Sequence, residues 1–227
     1  MSNYYISFDL DDTLFDNTPV IKHAFAVLYD YLIDQYPNLA VHYSLDSFIT
    51  AAHETRNQHM DIVDYNVLRV IHIERVLTEV GYEKSTIDAS KACDVFVDAR
   101  QHVTFFDDTL PTVQTLADSY SLISISNGNA DPERIGLSGF FKTSFNPTNC
   151  GLAKPDPEMY RSVCDQLDIE PGQMIHIGDS LTNDIFAARE AGCKTIWFNR
   201  LNREDGVQPQ IKTLSELPDI IYKMTSL

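Results

Sequence analysis

The chain has 227 residues, enough to bury a full core in one large domain or in a domain that carries an insert. Its 33 acidic and 17 basic residues give a net charge of −16, which argues against a surface for nucleic acid or anionic membrane. No apolar run approaches the roughly 18 residues of a membrane span, no basic leader precedes the first strand, and Cys93, Cys150, Cys164 and Cys193 have neither CxxC nor metal-ligand spacing, so a reduced cytoplasmic protein is expected.

The first stretch, Tyr4 to Phe15, is an apolar and aromatic run that ends in Asp9, Asp11 and Asp12. Tyr5, Ile6, Phe8 and Leu10 suit a strand covered on both faces. Carboxylates do not belong inside such a strand, but they fit its carboxyl end, where open α/β sheets bind ligands. With a period of two, Asp9 and Asp11 leave on the same side, and their like charges call for a cation or a shared proton. The alternative is a loop solvated by acids, since Asp is common in turns.

Asp16-Asn17-Thr18-Pro19 then starts a helix, and Val20 to Tyr36 repeats apolar residues at helical spacing. Further helices are expected at 44–58, capped by Ser44 or Asp46, at 64–80, stopped by Gly81, and at 86–103. From Pro111 onward helix and strand alternate, with strands at 121–126, 143–145, 174–177 and 194–198. Helices fall at 111–118, from Pro132, at 157–167, at 183–191 and at 215–224. This alternation implies a doubly wound parallel sheet with helices on both faces. Residues 1–16 and 106–227 therefore form the α/β core, and 17–105 form an inserted helical cap, placed by its position in the chain to act as a lid. The loop 202–210 reads as mobile.

Three later strand ends are also polar. Ser126-Asn127-Gly128-Asn129 ends its strand in a hydroxyl and a Gly-bearing turn, a donor set for an anion, or else an ordinary start to the next helix. Lys154, ahead of Pro155, is biased to an extended backbone and so to a defined side-chain direction; a lone exposed lysine is the plainer reading. Gly178-Asp179 through Asn183-Asp184 sets two acids around a helix start, an oxygen-ligand cluster for a hard cation such as Mg2+. Capping by Asn183 or Asp184 is the simpler alternative, but it leaves Asp179 unexplained. His176 within that strand reads as a core or edge residue, and Trp197 and Phe198 as core.

These stretches resemble the haloacid dehalogenase superfamily over nearly the whole chain. The pattern D-x-D-x-T-L stands as Asp9-Leu10-Asp11-Asp12-Thr13-Leu14, the strand-end hydroxyl as Ser126, the lysine as Lys154, and G-D-x-x-x-x-D as Gly178-Asp179 through Asp184, while the insertion resembles a C1-type cap. The resemblance implies a phosphatase with Asp9 as nucleophile, Asp11 as general acid and base, and Ser126, Asn127 and Lys154 around the phosphoryl group. It implies Mg2+ held by Asp9, the Asp11 carbonyl and Asp179, with Asp184 in or near its shell. An acid at position 11 separates phosphatase-like members from dehalogenase-like ones. The finer likeness is to bacterial phosphatases of FMN and of 5-amino-6-(5-phosphoribitylamino)uracil, with capped pyrimidine 5′-nucleotidases, sugar-phosphate phosphatases and phosphomutases as alternatives.

A phospho-receiver module shares the acids, hydroxyl and lysine, but has no use for a helical insert or for a second acid. The expected partner is a small phosphorylated substrate, neither nucleic acid nor membrane, and oligomeric state is not legible. Arg56, Asn57, His59, Tyr65, Asn66 and Arg69 are the insert's candidates for contact with a leaving group, against a plain solvated surface.

Overall fold

The computed structural model describes residues 4–226. The chain divides into two compact units, one of Met1–Asp16 with Val103–Leu227 and the other of Asn17–His102.

The first unit is built on a six-stranded sheet: β1 Tyr5–Phe8, β2 Ser121–Ile125, β3 Phe141–Phe145, β4 Met174–Gly178, β5 Lys194–Phe198 and β6 Gln210–Ile211. Its order is β3-β2-β1-β4-β5-β6, and every pair is parallel. Ile6, Phe8, Leu122, Ile123, Ile125, Ile175, Ile177 and Ile196 are fully buried, as strands covered on both faces require. The chain leaves β1 toward β2 and β3, then returns to the other side of β1 as β4. The direction of winding therefore reverses between β1 and β4, the place where doubly wound sheets open a ligand crevice. The helices of this unit are α6 Thr109–Ala117, α7 Pro147–Cys150, α8 Pro157–Leu167, α9 Ala187–Glu190 and α10 Leu217–Thr225, which follow α1 to α5 of the other unit.

That unit is helical: α1 Asn17–Gln35, α2 Leu39–His42, α3 Leu45–Gln58, α4 Tyr65–Glu79 and α5 Thr86–Ala99. Side chains of Ser44, Asp64 and Ser85 accept backbone N–H bonds at the starts of α3, α4 and α5. Ala24, Phe25, Leu28 and Leu32 form the buried stripe of α1 and pack with Phe48, Ile73, Val76 and Phe96. Phe25 meets Phe48 and Phe96 edge to face.

Three elements differ from expectation. The helix expected from Pro132 is one short turn, Glu133–Leu137, because Gly136 sits at φ 102° and stops it. The helix expected at 86–103 ends at Ala99, where Arg100, Gln101 and His102 close it with tightening turns onto Phe96, Asp98 and Ala99. The helix expected from Asn183 begins at Leu181 with a wider winding through Phe186, and its cap is the Ser180 hydroxyl. Among the described residues, no helix is long and apolar enough to cross a membrane.

Candidate active site

Asp9 lies one residue beyond β1, where its N–H still donates to Ile177 O at 2.8 Å. Leu10 O then accepts from Thr13 and Leu14, with Asp12 in the left-handed region at φ 59°. This tight turn returns Thr13 to Asp9, and the Thr13 hydroxyl donates to Asp9 Oδ2 at 3.3 Å.

Asp9 Oδ1 accepts from Lys154 Nζ at 2.6 Å. The same ammonium donates to Asp184 Oδ1 at 2.6 Å and to Ile125 O, the last residue of β2, at 2.9 Å. An ammonium has three donors, so all are spent. Lys154 draws the ends of β1 and β2 and the turn after β4 to one buried point. Asn127 contributes as well. Its side chain donates to Lys154 O at 2.7 Å and accepts from Lys154 N at 2.8 Å, which leaves one side-chain N–H uncommitted by these two bonds. Ser126 Oγ is buried and accepts from Gly128 N at 3.2 Å, while its own O–H can still donate.

Asp184 is fixed at both oxygens: Oδ1 by Lys154 and by His176 Nε2 at 3.3 Å, Oδ2 by Ser180 N at 2.9 Å. It fits there because Gly178 has no side chain, and a Cβ on Gly178 would overlap the Asp184 carboxylate. Asp179 is half-buried, and its carbonyl accepts from Trp197 Nε1 at 2.9 Å and from Arg203 Nη2 at 2.8 Å. Ligand oxygens of Asp9, Asp179 and Asp184 lie within 4.8 Å of one another. Asp11, half-buried at the head of the same turn, is not among these three, and its backbone bridges to Phe15.

The charges do not balance. Three carboxylates face one buried ammonium, with the partly exposed Arg203 guanidinium 3.8 Å from Asp179 Oδ2 as the second cation, so the acids still outnumber the cations when all are ionised. Burial, opposed by Lys154 and assisted by the charges of Asp184 and Asp11, raises the Asp9 carboxyl well above the usual range. Burial, then Asp184 and Asp12, pushes Asp179 up to about 6. Burial would raise Asp184 too, but Lys154 and the His176 bond outweigh it and hold Asp184 at about 2. Burial disfavours the Lys154 charge, yet Asp184 and Asp9 overcome this and raise its pKa. A cluster of this kind could hold a divalent cation.

Several contributors were not legible as site residues: Thr13, the Asn127 clamp on Lys154, His176 and Arg203. Arg203 falls in the loop read as mobile, but its backbone N–H and C=O both bond the Asn199 side chain, and its guanidinium lies 5.5 Å over the Trp197 ring. In the helical unit, Arg56 stands over the Tyr65 ring, and Arg69 lies over Phe96 while donating to Asn66 Oδ1 at 3.3 Å.

The fold gathers buried acids and a lysine at the switch point of a parallel doubly wound sheet, the place where such sheets bind ligands. The family model described as haloacid dehalogenase-like hydrolase matches residues 5–192, and the chain belongs to that family. It is 29% identical over 200 residues to the 5-amino-6-(5-phospho-D-ribitylamino)uracil phosphatase YigB of Escherichia coli, covering 87% of this chain and 84% of that protein. It is 22% identical to the N-acylneuraminate-9-phosphatase of Homo sapiens over 96% of this chain and 94% of that one. The crystal structure of a 2-haloacid dehalogenase from Pseudomonas syringae pv. Tomato DC3000 superposes with a TM-score of 0.86 at 28% identity, covering 97% and 98% of the two chains.

Proposed function

We propose that the protein is a Mg2+-dependent phosphomonoesterase that passes the phosphoryl group of a small metabolite to Asp9 and then to water. The observation that carries this reading is the gathering of the Asp9, Asp179 and Asp184 carboxylates, more acids than the buried Lys154 and the partly exposed Arg203 can neutralise. A phosphate dianion cannot approach that cluster unless a cation is there. The donor set fits Mg2+, being all oxygen with few carboxylates, and Asp9, Asp179 and the Asp11 carbonyl would hold the ion with Asp184 in or beside its shell. When bound, Mg2+ supplies the charge that lets an anionic nucleophile meet an anionic ester.

Asp9 is held at both carboxylate oxygens by Thr13 and Lys154, which orient it for attack. One oxygen forms a bond to phosphorus while the bond from phosphorus to the leaving oxygen breaks, and Asp11 gives that oxygen a proton. Asp11 then takes a proton from water, the water attacks the aspartyl-phosphate, and the bond from phosphorus to Asp9 breaks to release phosphate. The Ser126 hydroxyl and the amides of the following turn stabilise the phosphoryl oxygens. Lys154 keeps the acids charged and in place, and exchanges an acceptor for a phosphoryl oxygen as the ester binds.

The likeness to the E. coli enzyme supports phosphorylated ribityl compounds, 5-amino-6-(5-phosphoribitylamino)uracil or FMN, as substrates and a role in riboflavin synthesis. Unit Asn17–His102 is the cap in this reading. The four free cysteines support a cytoplasmic setting. The dehalogenase likeness supports a second reading, hydrolysis of a carbon–halogen bond, against which Asp11 stands as the acid that an alkoxide leaving group needs and a halide does not.

The test is phosphate release from p-nitrophenyl phosphate, FMN, the ribitylaminouracil phosphate, UMP and dUMP, beside halide release from 2-chloropropionate. Turnover should need Mg2+, vanish in Asp9→Asn and fall about 10²-fold or more in Asp11→Asn. Halide release without phosphate release would overturn the proposal.

A further inference from the structure

His176 occupies the middle of β4, fully buried, between Ile175 and Ile177. A strand covered on both faces has no packing need for an imidazole, and Ser7 beside it in β1 is equally out of place. The two are register partners across the β1–β4 ladder, and they bond each other, Ser7 Oγ to His176 Nδ1, at 2.7 Å. The other ring nitrogen, Nε2, faces Asp184 Oδ1 at 3.3 Å. An ionised carboxylate only accepts, so Nε2 carries the proton, and Nδ1 therefore accepts from the Ser7 hydroxyl. The Tyr160 ring packs edge-on against the imidazole at 4.9 Å, and its hydroxyl donates to Asn183 O in the turn that carries Asp184. Each link has one donor and one acceptor, running from Ser7 through His176 to Asp184.

We infer that His176, backed by Ser7, is a positioning residue for Asp184: it fixes that carboxylate in the orientation from which Asp184 holds Lys154 and faces the cation cluster. This rests on the metal-dependent reading of the same site and deepens it. Asp184 Oδ1 serves two donors, Lys154 and His176, and they approach from different elements. With the imidazole gone, Oδ1 keeps only Lys154 and Oδ2 only Ser180, so the carboxylate is held by one bond at each oxygen and the spacing of the three acids is less firmly fixed. Groups that hold ligating carboxylates typically change metal affinity by about ten- to a hundredfold when removed.

The experiment is calorimetric titration with Mg2+ alone on the full chain, with the Mg2+-induced rise in Tm as a second readout. His176→Leu should weaken Mg2+ binding about tenfold. His176→Gln, whose terminal N–H can reach the place of Nε2–H, should restore most of that affinity, and Ser7→Ala should give a smaller loss in the same direction. A structural role alone would lower Tm without moving the Mg2+ isotherm. If His176→Leu and Ser7→Ala both bind Mg2+ within about twofold of the unmutated chain, the inference is overturned and the phosphatase reading stands. If His176→Leu does not fold, Ser7→Ala decides by the same criterion. If the unmutated chain takes up no Mg2+, the metal reading falls and this inference with it.

Discussion

Replacing Lys154 by Met keeps the length and apolar stem of the side chain and removes only its charge and three N–H bonds. In the folded protein that side chain is 2% exposed, and its ammonium is bonded to Asp9 and Asp184 at 2.6 Å each. Removing one partner from a buried ion pair costs about 3–5 kcal/mol, because the other charge stays buried and unpaired. The loss should therefore depend on pH, and its sign follows from Asp184. With Lys154 present the Asp184 carboxyl sits at about 2, below its usual 3.8, so it contributes stability that is full above 3.8 and fades only as pH falls toward 2. Without Lys154, burial is opposed only by His176 and the Ser180 N–H, and the folded pKa rises above the unfolded one. The native state then holds a proton that the unfolded chain releases, and stability falls as pH rises, by about 1.4 kcal/mol per unit wherever that proton is retained. Urea unfolding of both chains in EDTA at pH 5, 6.5 and 8 measures this. Lys154→Met should be destabilised most at pH 8 and least at pH 5, and 10 mM Mg2+ should recover part of the loss. A difference under about 1 kcal/mol at pH 8, or one independent of pH, would refute the assignment of Lys154 as the counter-charge of Asp9 and Asp184.

Gly178→Ala places a Cβ on the Asp184 carboxylate, so turnover and Mg2+ affinity should fall together while the far-UV spectrum is kept; unchanged kinetics would show that Asp184 can sit elsewhere. Because Asp179 binds its proton up to about 6, Mg2+ affinity should decline below that pH by up to about tenfold per unit, and an affinity flat from pH 5 to 7.5 would remove Asp179 from the ligand set. His72 is buried with neither ring nitrogen hydrogen-bonded, so His72→Leu should stabilise the helical unit by about 1–3 kcal/mol near neutral pH. Burial and the neighbouring Arg75 and Arg69 lower the folded pKa of His72 to about 3, so the native imidazole loses stability as pH falls from 6.5 toward 3, and the gain from Leu should widen at pH 5. Parallel pH curves for the two chains would contradict this.

Most of the sheet was legible because apolar strands that end abruptly in Asp9, Ser126 and Asp179 violate packing sense in a way that loops do not. The contacts that make those ends one site were not legible, because they join residues far apart in the chain. Ser7 and His176 are 169 residues apart, and only the β1–β4 register brings them together. The Asn127 clamp on Lys154 spans 27 residues and looked, locally, like an anion-binding turn. Short elements such as α2, α7 and β6 carry too few residues for a period to show. Arg203 was hidden by composition: Asn-Arg-Glu-Asp-Gly reads as a solvated loop, and its anchor, the Asn199 side chain, lies at the end of a strand that reads as core.

The structure also shows what the lysine does for the acids around it. An exposed lysine that waits for phosphate would work against a chain of −16 net charge only at short range. Lys154 is instead buried on Asp9, Asp184 and a backbone carbonyl, so its first effect is to permit acids to be buried at the switch point at all. Lys154 and the partly exposed Arg203 do not neutralise all three carboxylates, and the excess of acid suits a cation. In the proposed function, the same imbalance would draw in the cation, and the cation would in turn attract a dianion that the rest of the surface repels. Metal binding and substrate binding would then be coupled by charge.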